Sequence, residues 1–245
     1  MTFQRARTEE QREIRRQAIL DVASAMLDEM PVAAVTLNEL SRRVGLAKPN
    51  VLRYFESREA VLLELLDRIL REWLTELAGE LAAGIDENQS MAERAAAVAE
   101  ILSRSLSGRV VLCDLLGAQG GVLEHNVSVE VVTRYKRASL DRLTTATGLI
   151  QKYLPELGEN ATQFSLQAMV LAGALSVYST PPPSLRAAYR AEPGLARFHL
   201  ELRDSLKLAL TATLLGVLPR RCPCSPGAHL DQPQNGRDDP ACYEE

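Results

Sequence analysis

Aromatic residues are scarce in this 245-residue chain: Phe, Trp and Tyr make up 4% of it, with a single tryptophan. A core with so few rings must be filled by Leu, Ala and Val, which favours helix packing over a β-sandwich. No segment alternates apolar and polar residues at period two, so strands are not predicted. No apolar run reaches about 18 residues, so no membrane span is expected. The N-terminal stretch MTFQRARTEEQREIRR is charged and lacks the apolar centre of a secretory signal, which makes the cytoplasm the expected location. The four cysteines are then expected as thiols. Catalytic signatures are missing too: there is no nucleophile elbow, no Gly-rich phosphate loop and no H-E-x-x-H. An enzyme is not expected, and neither is a cofactor. Cys222, Cys224, His229 and Cys242 lie near the C-terminus, but C-x-C with one histidine and a distant cysteine is not a zinc-finger spacing. No metal is predicted there. The formal charge of −4 argues against a protein that coats nucleic acid at random, and leaves room for a local basic patch.

The most informative stretch is Thr36 to Phe55, TLNELSRRVGLAKPNVLRYF. Thr36 and Glu39 have the spacing of a capping box, in which each side chain satisfies the other's orphan N–H. Leu37, Leu40 and Val44 then form one apolar stripe of a helix of about two turns. Gly45 stands where a left-handed turn calls for a residue without Cβ. Ala47, Lys48 and Pro49 open a second short helix, since proline is tolerated in a first turn. Asn50, Arg53 and Tyr54 should project from it, with Val51, Leu52 and Phe55 on its inner side. A helix, a glycine turn and a polar, basic second helix make a helix-turn-helix. From Thr36 to Arg58 the basic residues Arg42, Arg43, Lys48, Arg53 and Arg58 face only Glu39 and Glu56.

The run GLAKPNVLRYFESREAVLLELL resembles the second half of the DNA-binding domain of TetR-type regulators, where a helix-turn-helix leads into a Tyr-Phe pair, a polar turn and a long apolar helix. Tyr54, Phe55, Ser57, Arg58, Glu59, Ala60 and Val61 follow that pattern in order, and the resemblance covers roughly residues 10 to 73. Three positions depart from it: Leu52 replaces a usual aromatic, Arg58 a usual lysine, and Ala47 a usual serine or threonine. The resemblance implies a dimeric regulator on a palindromic double-stranded DNA operator, released by a small-molecule effector. A repressor is the leading expectation. An activator or constitutive DNA binder is the alternative within the family, and a helical sensor without productive DNA binding the alternative outside it.

The expected architecture is all-α: a three-helix head and then a bundle of about six longer helices. Residues 1–10 are expected as a flexible arm, with Arg5 and Arg7 in reach of a neighbouring groove or simply in a loose tail. Residues 11–57 form the head, 58–218 the ligand-binding and dimerisation domain, and 219–245 a Pro- and Gly-rich disordered tail. Ile14, Ala18, Val22, Met26 and Met30 predict a core-facing helix from Gln11. Arg58 to Ala83 is apolar on more than one face and should be the rod between head and body. Ser90 and Glu93 repeat the capping box, Gly120 and Gly121 should break a short helix, and Asn160 should cap another. Leu195 to Val217 is expected as the last helix.

The DNA-contact candidates are Thr36, Arg43, Lys48, Tyr54 and Arg58 for phosphates, Asn50 and Arg53 for base edges, and Ala47 and Pro49 for thymine methyls. Pocket candidates are Cys113, Leu116, Gln119, Asn126, Tyr135, Met169 and Tyr178, with Asp114 and His125 beside them; His125 and Asn126, in the connector, are the weaker ones. Singly, each polar member reads more simply as a surface or satisfied core residue. The resemblance implies that the helices around Asn160–Ser179 and Leu195–Val217 pair with their copies, through Leu166, Val170, Gly173, Leu206, Leu210 and Thr213.

Overall fold

In a computed structural model, which describes residues 2–219, helix follows helix and no strand occurs among the described residues. The head comprises α1 (Thr2–Glu29), a 3-10 turn (Val32–Ala34), α2 (Leu37–Val44) and α3 (Lys48–Val51). Helix α4 (Arg58–Gly84) leads into the body: α5 (Met91–Ser107), α6 (Val110–Ala118), α7 (Val129–Tyr153), α8 (Asn160–Ser179), α9 (Pro183–Ala191) and α10 (Leu202–Val217).

Local chemistry sets most of these boundaries. Ser57, Ser90 and Ser128 each accept a backbone N–H from the third residue on, and so start α4, α5 and α7. At Ser90 the box is complete, because Glu93 accepts the Ser90 N–H in return. At Thr36 only half of it forms: the threonine accepts the Glu39 N–H at 3.2 Å, while the Glu39 carboxylate turns to two arginines instead. Gly45 closes α2 at φ 73°, the left-handed conformation that a side chain would strain.

One continuous core runs from Ile19 to Leu218. Helix α4 is its rod. Leu62, Leu63, Leu65 and Leu66 are all buried at consecutive or near-consecutive positions, so α4 is covered on several sides. Each such leucine contributes about 1.5–3 kcal/mol on leaving water. Its Trp73 donates an indole N–H to Ser105 of α5 at 3.1 Å. Helices α6 and α8 cross at Gly117 and Gly173, and α10 lays Leu206, Leu210 and Leu214 inward. Two ion pairs fasten α10 to α5, from Glu100 to Arg203 (2.5 Å) and Lys207 (2.7 Å).

Several expectations are corrected. Helix α1 begins at Thr2, without the break expected near residue 10, because nothing from Thr2 to Met30 is Gly or Pro. From Glu9 onward the first inward residue is Ile19, and Ile14 is exposed. Gly120 and Gly121 do not end α6; the backbone widens into a π-helical turn over Gln119–Leu123. Asn160 is the first residue of α8, with its side-chain amide given to the Val217 carbonyl at 3.3 Å. The segment expected to open the last helix at Leu195 holds a separate 3-10 run, Pro193–Phe198, and α9 precedes it.

Candidate nucleic-acid interface

The turn between α2 and α3 is built from short-range parts. Gly45 reverses the chain, and Leu46 returns its N–H to the Ser41 carbonyl at 3.1 Å. Pro49 sits in the first turn of α3. The helical bonding continues past Val51, with Arg53, Tyr54 and Phe55 donating to Asn50 and Val51 carbonyls. Val51 and Phe55 face inward at 0% and 3% exposure. Ala47, Lys48, Pro49, Asn50 and Arg53 are all exposed, and Tyr54 is half-buried. This is the arrangement the spacing predicted, with one exception. Leu52 is 40% exposed rather than inward, because Val51 and Phe55, four residues apart, already complete the inner side.

Arg16 of α1 fixes this turn to the head. Its guanidinium donates to the Tyr54 carbonyl at 2.6 Å, pairs with Glu64 of α4, and lies 4.4 Å above the Phe55 ring. Nothing in the local pattern pointed to it, since its partners lie 38 and 48 residues away.

Three cationic or polar candidates have work inside the protein. Arg43 pairs with Glu39 and with Glu29, both at 2.8 Å. Glu39 also takes Arg42 in a two-pronged bond. The guanidinium groups of Arg42 and Arg43 hold the Glu39 carboxyl down to about 2. Arg58 donates to the Val35 carbonyl at 2.8 Å, pairs with Glu59 and is mostly covered, so it staples α4 to the segment ahead of α2. Thr36 is exposed and acts as the α2 cap. Among the described residues, Lys48 and Arg53 are the cations on the α3 face that make no ion pair.

Beyond the bonds to α4, two hydrogen bonds among the described residues tie the head to the body. The Val32 N–H donates to Asp114 of α6 at 2.7 Å. The Ser128 N–H, just ahead of α7, donates to Glu56 in the turn before α4 at 2.6 Å.

The pocket candidates do not converge. Cys113 is fully buried, with its thiol given to the Leu106 carbonyl, and burial pushes that thiol up to about 12. Leu116 and Met169 are half-buried core neighbours. Gln119 donates to Glu124 at 2.8 Å. Tyr135 is buried, its hydroxyl pushed up by desolvation, and lines a groove between α1, α4 and α7 with Arg16, Glu64, Asp67 and Arg134. His125 and Asn126 are exposed, and Tyr178 is 65% exposed. The cysteine and histidine residues of the tail lie outside the described residues.

The pairing candidates divide in two. Leu166 and Val170 are exposed on α8, and Thr213 is half-buried. Gly173, Leu206 and Leu210 are consumed within the chain, against α6 and α5, so they are corrected to core residues. Sequence reading missed Val177, Leu208 and Leu215, which are exposed on the same two helices.

Comparison with known proteins covers both parts of the molecule. The model for bacterial regulatory proteins of the tetR family matches residues 19–65, and that for the tetracyclin repressor-like C-terminal domain matches residues 67–221. The HTH-type transcriptional regulator EthR of Mycobacterium tuberculosis is 40% identical over 55 residues, which is 22% of this chain and 26% of that protein. EthR of Mycolicibacterium smegmatis is 35% identical over 57 residues, again 26% of that protein. The shared region is thus about a quarter of each relative. Thermus thermophilus FadR, solved as a transcriptional repressor in complex with lauroyl-CoA, superposes with a TM-score of 0.53 at 19% identity, over 86% of this chain and 100% of its own. That likeness is one of fold.

Proposed function

The chain belongs to the TetR family of bacterial regulatory proteins, and from that premise we propose that it is a sequence-specific DNA-binding transcriptional repressor that acts as a homodimer and answers to a small-molecule effector. One observation carries the DNA-binding part: Lys48, Asn50 and Arg53 are exposed on a helix whose other side, Val51 and Phe55, is locked in the core. A rigid backing with free polar tips is what insertion into a major groove requires. Asn50 pairs with adenine and Arg53 with guanine, while Lys48 holds a phosphate.

The dimer reading rests on apolar residues with no cover. Leu166, Val170 and Val177 of α8, with Leu208 and Leu215 of α10, stand exposed. Pairing these helices with their copies makes a four-helix interface and sets two heads on a palindrome. The effector reading rests on the two bonds from α6 and from the start of α7 to the head. A ligand that favours one arrangement of those helices changes operator affinity by its own differential affinity for the two.

The test is fluorescence anisotropy with duplexes from the DNA flanking the protein's own gene. Lys48→Ala should weaken all duplexes alike and reduce the salt slope by about 1, and Arg53→Ala should erase discrimination worth about 1–3 kcal/mol. If both variants bind like the parent, the site assignment is wrong. Lauroyl-CoA, named in the FadR complex, is the first effector to add.

A further inference from the structure

From Glu9 to Ala18, α1 buries no side chain: every residue there is exposed except Arg16, which is half-buried, and Ile19 is the first buried residue after them. A solvated helical extension of this kind gains little from its own propensity, so its surface pattern is informative. Counted around the helix at about 100° per residue, Gln11, Arg15 and Arg12 occupy one arc and Glu9, Glu13 and Glu10 the next, with Arg12 at the boundary and Arg15 farthest from the glutamates.

The basic arc is aimed at the DNA-binding turn. Gln11, Arg12, Ile14 and Arg15 line a single cleft with Arg53 and Tyr54. Arg16, one turn further on, is bonded to the Tyr54 carbonyl and to Glu64, which fixes the distance between α1 and that turn. Among the described residues, Arg12, Arg15 and Arg53 make no ion pair, although Glu9, Glu10 and Glu13 are close in sequence. Three unpaired guanidinium groups around one cleft repel each other. An anion between them removes that repulsion. Guanidinium forks fit phosphate oxygens two at a time.

We propose that Arg12 and Arg15 hold a backbone phosphate of the duplex bound by α3, beside Arg53, which keeps its base contact, so that α1 is a second DNA-contacting element beside the helix-turn-helix. This rests on the reading of α3 as the helix that enters the groove. The contacts are to phosphate, so they add affinity and register without adding base preference.

The test is anisotropy titration of the full chain against the flanking-DNA duplex and an unrelated duplex, over a series of salt concentrations. Arg12→Ala/Arg15→Ala should weaken both duplexes by the same factor, roughly three- to ten-fold, and make the salt slope shallower by about 1–2. Arg12→Lys/Arg15→Lys should keep most of the slope, since charge is retained. Circular dichroism should show the parent's melting for both, because both positions are exposed. An unchanged slope in the alanine pair, with Lys48→Ala still reducing it, overturns the α1 contact and leaves α3 in place. No change in any of these variants overturns both.

Discussion

Asp114 of α6 accepts the backbone N–H of Val32 across 2.7 Å, joining the body to the 3-10 turn just before α2. The partners are 82 residues apart in sequence. The bond lies where a shift of α6 would first be felt by the head. Asp114→Ala leaves that N–H without its charged partner, at a cost of about 1–3 kcal/mol. Amide hydrogen exchange over residues 30–36 should accelerate while α5 and α8 keep their protection. Exchange at the parent's rate in that segment would show that the bond couples nothing.

Gly117 and Gly173 bring two helix backbones into contact. A Cβ on Gly173 would stand 2.6 Å from the Gly117 nitrogen, and one on Gly117 would stand 2.9 Å from the Gly173 carbonyl oxygen. Both obstacles are backbone, which cannot rotate away. Gly173→Ala should therefore force α6 and α8 apart and cost about 1–3 kcal/mol or more, read as a lower thermal midpoint. An unchanged midpoint would mean that α6 moves freely relative to α8, and the crossing would not be a fixed point of the body.

What could be read from the sequence was local. Gly45, Pro49 and the serine caps act over three or four residues, and each stands where its spacing placed it. What could not be read was the choice of partner. Arg43 turns to Glu29, and Arg58 to the Val35 carbonyl 23 residues away, partners that no local spacing announces. Helices α8 and α10 are apolar on more than one side, and composition does not say which side turns inward. Leu206 and Leu210 went in while Leu208 stayed out. The stripe through Ile14 continued past the head because periodicity does not register where neighbouring elements end. Helix α9 buries no residue at all, so it offered no inward face to detect.

Glu100 links α5 to α10 through Lys207 and Arg203, in that order of effect, and the two hold its carboxyl at about 2. The folded value lies below the ordinary 4.5. The stabilisation is therefore fully present above that ordinary value and is lost as pH falls towards 2. Glu100→Gln has no such carboxylate to lose. Between pH 4.5 and 2 the parent's thermal midpoint should fall more steeply than that of the variant. Parallel curves would mean that the pair is screened by water and contributes nothing.

The exposed apolar face of α8 and α10 yields the sharpest test of assembly. Val170 is 61% exposed and Leu208 73% exposed, whereas Leu206, two residues from Leu208, is fully buried. A stable interface needs about 800 Å² per partner, which two long helices can supply. A carboxylate in its centre would be desolvated without a counter-ion. Val170→Glu or Leu208→Glu should then halve the mass seen by sedimentation with helix content intact, while Leu206→Glu should unfold the body. The same two surface variants should lose affinity for a palindromic duplex much more than for a half-site, because linked heads bind as one. A parent-like mass for Val170→Glu and Leu208→Glu would place the interface elsewhere and return these side chains to ordinary solvent-exposed surface.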